Sequence, residues 1–113
     1  MSDPFQRYED ALERKLVMEQ DEEFRLRSRR DKLFGQWAGR KLGYSAAALE
    51  PYATAVVDTN FEKLGDDDML GKVTADFSFG NVVLADDELI RALRECYAIA
   101  AQQIAAEKNK PAP

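Results

Sequence analysis

Histidine is absent from the 113-residue chain, which removes the commonest general base and the commonest metal ligand together. Cysteine occurs once, at Cys96, so no disulfide within the chain can hold the fold. Cys96 stands in an apolar helical pattern, where a thiol serves as a small core residue rather than a nucleophile. Long apolar runs are missing, and nothing approaches the roughly 20 residues that span a bilayer. Met1 to Arg7 lack the basic start and apolar block of a secretory signal, so a cytoplasmic location is expected. Positive charge is in deficit: 16 Lys and Arg against 21 Asp and Glu leave a net −5. That balance argues against nucleic acid as the main partner and against an anionic membrane surface. There is no nucleophile elbow, no phosphate-cradling glycine loop and no Cys–His pair. Carboxylates are plentiful, but no sequence context sets one in an apolar surrounding that would raise its pKa. A non-enzymatic protein is expected.

What is present is helix-forming. Hydrophobic residues make up 45% of the chain, enough for one core, and the length suits a single domain over residues 1–113. From Phe5 to Leu42 neither Gly nor Pro intervenes until Gly35, which predicts one long helix or two collinear ones, with Pro4 in the first turn and Gly43 as terminator. Ser45 can cap a second helix reaching about Phe61, with Leu49, Tyr52, Val56 and Phe61 on one side. Pro51 either kinks that helix or moves its start to about Glu50. The run Gly65-Asp66-Asp67-Asp68 opens a third helix carrying Met69, Val73 and Phe77, closed by Gly80. Asp86-Asp87-Glu88 opens a fourth, with Leu89, Leu93, Tyr97, Ala101 and Ile104 at helical spacing. Both acidic runs suit helix starts through the macrodipole, and neither has the spacing of a calcium loop, so no metal site is expected. Val82-Val83-Leu84 is strand-like but too short to stand alone, and Lys108 to Pro113 reads as a frayed tail. The expected fold is all-α, with four helices.

A first helix of some forty residues is on the order of 60 Å long, while the other three are only about 20–35 Å. The short helices (a bundle over residues 20–107) cover only part of it, and the rest projects, folds back or stays mobile. Phe24, Leu33, Phe34, Trp37, Ala38 and Leu42 form a broad apolar face suited to a bundle. Phe5, Tyr8, Leu12 and Leu16, spaced three, four and four residues apart, form a narrow ridge nearer a coiled-coil seam. Between the halves lies Glu19-Gln20-Asp21-Glu22-Glu23. The ridge can serve the chain's own core, a second copy, or a groove on a partner protein.

The one basic cluster is Arg25, Arg27, Arg29, Arg30 and Lys32. Residues 1–43 carry a net +1 and the remainder −6, so the cluster is expected to pair largely with acids of the other helices. An acidic protein surface or a nucleotide phosphate are its alternatives.

The stretch from Phe24 to Gly43, FRLRSRRDKLFGQWAGRKLG, resembles the central signature of the alphaproteobacterial F-type ATP synthase zeta subunit family, Phe-x-x-x-x-Arg-Arg-Asn-Lys-Leu-Leu-Gly-x-Trp-Ala-x-x-Lys-Leu-Gly. Arg29, Arg30, Lys32, Leu33, Gly35, Trp37, Ala38, Lys41, Leu42 and Gly43 match it. The likeness continues through Tyr52-Ala53, Val56-Val57, Phe61-Glu62, Gly65-Asp66 and Asp68, and more loosely into the last helix. The resemblance implies a four-helix inhibitor of ATP hydrolysis whose N-terminal segment enters a catalytic alpha/beta interface beside the central stalk. It implies the ATP synthase catalytic sector as partner and a place peripheral to the inner membrane through it, with no direct membrane insertion. Residues 1–19 become the candidate inhibitory segment. Phe5, Glu9, Ala11, Glu13 and Lys15 match the family's start; Tyr8 replaces a usual Arg, and Leu12 and Leu16 stand where Phe is common. With Arg7 and Glu19 these complete the expected partner-binding set. Weak ATP or ADP binding is also implied; no motif locates it, and Arg25, Arg29, Arg30 and Lys32 are its candidates by charge. Two other readings stay open: an interaction or assembly module that binds without inhibiting, and a weak adenine-nucleotide sensor.

Overall fold

A computed structural model describes residues 4–60 and 65–109. Four helices follow in order: α1 Pro4–Lys41, α2 Ala46–Thr59, α3 Asp67–Phe79 and α4 Glu88–Lys108, with no strand among the described residues. α1 is one continuous helix of 38 residues, about 57 Å long, with Pro4 in its first turn, where a proline loses no hydrogen bond. It ends where Gly43 takes φ +81°. The Gly43 N–H then donates to the Arg40 carbonyl and the Tyr44 N–H to the Gly39 carbonyl, closing the last turn. The Ser45 side chain accepts from the Ala48 N–H and caps α2.

α2 starts at Ala46, so the alternative start near Glu50 is not realised and Pro51 lies inside the helix. Pro51 and Ala47 are both exposed, so the carbonyl that the proline leaves unpaired lies in reach of water. The expected end at Phe61, like the tail beyond Asn109, lies outside the described residues. Lys108 is the last residue of α4 and ion-pairs with Glu22, so the order of the chain extends through it.

The register of the bundle can be read from its polar contacts. α2 runs antiparallel to α1: Gln36 donates to Glu50 at the top and Asn60 donates to Asp31 at the bottom. α3 rises again from Asp66, beside Arg30, to Gly80, beside Leu42. α4 descends along α1 from Glu88, paired with Lys41, to Glu107 and Lys108, paired with Arg25, Arg29 and Glu22. The core they enclose holds Phe34, Ala38, Tyr52, Val56, Met69, Val73, Phe77, Leu93 and Cys96. Trp37 stacks on Phe34 at 5.6 Å between centroids and meets Phe77 edge-on at 5.8 Å. Gly35 permits a close approach of α1 and α2: a Cβ there would stand 2.8 Å from the Ala53 Cα. Burial raises the Cys96 thiol pKa and leaves it a core residue.

Two assignments change, those of Phe24 and of the α4 face. Phe24 is 59% exposed rather than packed in the bundle. It lies about 80° round the helix from Phe34, and about two turns below Asp31, where α2 ends. On α4 the buried face is Ala92, Leu93, Cys96, Ala100 and Ile104, while Tyr97 is exposed and Ala101 half-buried. Ala92, Cys96 and Ala100 each precede Leu93, Tyr97 and Ala101 by one residue, so the buried face is turned about 100° from the expected stripe over those turns. Val82 and Leu84 tuck under the core while Val83 is 93% exposed. No helix among the described residues is long and apolar enough to cross a membrane.

Candidate functional site

Below the bundle, the first half of α1 extends without a neighbouring helix among the described residues. Among the described residues, its lowest ion pair with α4 is Glu22–Lys108. Phe5, Tyr8, Leu12 and Leu16 are 77%, 65%, 43% and 57% exposed. At about 100° per residue the four fall within an ~80° band, as the spacing predicts. That band is in line with Leu26, Leu33, Phe34 and Trp37, so α1 carries one apolar face from end to end and the bundle covers only its upper part.

The remaining expected contact residues distribute around this ridge. Glu9 and Glu13 flank it on one side, Ala11 and Lys15 on the other, and Glu19 sits in its line. Arg7 falls about 145° from the ridge's centre and is not brought to it. All of these residues are exposed. Gln6 donates to Asp10 at 3.1 Å along the helix's far side, an i,i+4 bond that supports the helix without touching the ridge.

The basic cluster behaves differently. Arg25 and Arg29 both clasp Glu107, and Arg29 also donates to Gln103 at 3.2 Å. The Arg29 bond, more than any other contact, holds the Glu107 carboxyl below the usual carboxylate range. Lys32 reaches Glu50 on α2 at 3.4 Å. Arg30 turns inward, donating to Asp31 at 2.9 Å and to Asp66 at 2.7 and 3.3 Å. Burial opposes its charge, but the bonds to Asp66 and Asp31 outweigh burial and raise its pKa further. Asn60 donates to both carboxylates, at 2.8 and 3.1 Å, so one partly buried cluster ties α1 to the end of α2 and the start of α3. Burial would raise the Asp66 pKa, yet the Arg30 and Asn60 bonds lower it below the ordinary value. Asp66 stands at the N-cap of α3 and makes no side-chain cap bond, its carboxylate being taken up by this clasp.

Arg25, Arg29, Arg30 and Lys32 therefore do not converge: two point to α4, one into the interior and one to α2. Asp66 and Glu107, which hold three of them, lie 36 to 82 residues away in the chain, which is why spacing alone did not single them out. The charge excess of the acidic remainder was the signal that such partners exist.

No curated protein and no solved structure matches the chain. A family model described as ATPase inhibitor subunit zeta matches residues 1–103, which takes in the whole ridge, the acidic break, the basic cluster and most of α4. By that match the chain belongs to the ATPase inhibitor subunit zeta family.

Proposed function

We propose that this chain inhibits ATP hydrolysis by the F-type ATP synthase by inserting residues 4–19 of α1 into a catalytic alpha/beta interface beside the central stalk. Membership in an inhibitor family supports the inhibitory role. The observation that carries the mechanism is the solvent-exposed ridge of Phe5, Tyr8, Leu12 and Leu16 on a helix that continues without a break into a packed bundle. Burying those four side chains would contribute roughly 6–12 kcal/mol gross, at about 1.5–3 per side chain. Association costs remove much of that, so micromolar affinity, about 8 kcal/mol net, requires polar contacts beside the ridge. A helix seated in that way acts as a wedge, because rotation in the hydrolytic direction must first expel it. The chain is then peripheral to the inner membrane through the enzyme it binds. Arg25 to Lys32 serve in this reading as clamps that fix α4, α2 and α3 on α1, and no nucleotide enters it.

The test is the ATPase rate of the matching detached catalytic sector with intact protein and with a form lacking residues 1–19. Intact protein lowers the rate and the truncated form leaves it unchanged. No inhibition by intact protein over a wide concentration range removes the proposal, and stable co-purification without inhibition identifies an assembly partner instead.

A further inference from the structure

The charges on the projecting part of α1 are sorted by face. Around the ridge's centre, Glu9 and Glu13 lie about 55° and 95° to one side, and Glu19 and Glu23 fall within about 30° of it. Lys15 is the one cation on that half of the helix between residues 4 and 23. Arg7, Asp10, Arg14 and Asp21 all fall more than about 140° away, so the far half is electrically balanced. The near half is strongly acidic.

This sorting does not serve the helix itself. Glu9 and Glu13 are four residues apart, a like-charge spacing that costs an isolated helix a few tenths of a kcal/mol. Neither has a cation three or four residues away, and neither makes an ion pair among the described residues. Asp10, by contrast, has Arg7 and Arg14 within helical reach, and Glu19 has Lys15. An apolar ridge with unpaired carboxylates along its edge is complementary to a trough of the opposite pattern.

We propose that the surface receiving this helix is an apolar-floored groove rimmed by Lys and Arg side chains, with the cationic rim densest along the Glu9–Glu13 edge. This deepens the inhibitory reading above and rests on it. Acidic edges on the helix would steer it to the groove and fix which way it is rolled about its own axis.

Two double variants remove the same charge from opposite faces: Glu9→Gln with Glu13→Gln, and Asp10→Asn with Asp21→Asn. Binding of each full-length protein to the detached catalytic sector is followed by stopped-flow fluorescence at about 20 and about 500 mM salt, which spans strong to weak screening. The Glu9/Glu13 variant associates about tenfold more slowly than wild type at low salt and equally fast at high salt. The Asp10/Asp21 variant matches wild type at both. Equal slowing by the two variants, or none by the first, overturns the inference while inhibition by wild type leaves the parent reading standing. Absence of wild-type binding overturns both.

Discussion

The two halves of α1 are one helix with one apolar face, yet they have opposite fates. Phe34 and Ala38 in the upper half are wholly buried, while Phe5 and Leu16 in the lower half are more than half exposed. Helix propensity does not separate them, since neither half contains a breaker before Gly35. What separates them is reach. α2 and α3 attach at Asp31 and Arg30, and only α4, fastened by Glu107 and Lys108, follows α1 down to Glu22. An apolar face is thus a requirement for a partner rather than a guarantee of a core, and the lengths of the neighbouring helices decide which it becomes.

The sharpest way to break this contrast is to empty each half in turn. Replacing Tyr8, Leu12 and Leu16 together by Ala weakens inhibition by about a thousandfold or more, at roughly 1.4 kcal/mol per tenfold, while the denaturation midpoint stays where it was. A drop in that midpoint would mean that the ridge packs within the chain and is not spare. The mirror substitution, Phe34→Ala, costs about 3–5 kcal/mol in chemical denaturation, because it opens a void in a fully buried site. An effect under about 1 kcal/mol would show that the upper half is not the anchored one.

Arg30→Ala comes next, at about 3 kcal/mol, since it strands Asp31 and Asp66 beside each other with a buried guanidinium removed. The same cluster sets the acid limit. Because the folded Asp66 pKa is depressed below its ordinary 3.8, its contribution is fully present above that value and is lost as pH falls through the folded pKa. Thermal melts should therefore decline below about pH 4, and Asp66→Asn should flatten that decline while lowering stability at neutral pH. A pH profile unaltered by Asp66→Asn would remove the cluster from the acid response. The smallest effect belongs to Glu107→Gln, whose partners are exposed: a Tm loss of about 2 °C, detectable by calorimetry and erased by salt.

Much of this architecture was legible in the sequence. The breaker-free run, Gly43, the Ser45 cap, the Met69-Val73-Phe77 stripe and Gly80 each announce a local decision, and local decisions are what spacing encodes. The ridge itself was legible for the same reason. Phe24 and Tyr97 were not, because their burial depends on where a different helix stops and on how far a stripe drifts in two turns. The clasps of Arg30 by Asp66 and of Asp31 by Asn60 were also hidden, since they join residues 36 and 29 positions apart through a connection whose path no pattern dictates. Charge counting implied partners for the arginines without naming them.

The pairing of Lys108 with Glu22 marks a shoulder: below it the described residues form a single rod, residues 4–21, about 27 Å long and roughly 10–12 Å thick, and above it a body of far greater girth. A slot wide enough for the rod would stop the body at its mouth, so the position of that shoulder works as a depth gauge. Lengthening the rod by whole turns would move Phe5 deeper by about 5.4 Å each while keeping the ridge on the same side, and shortening α4 from its C-terminal end would free more shaft. Penetration in this protein is a dimension written into where one helix ends against another.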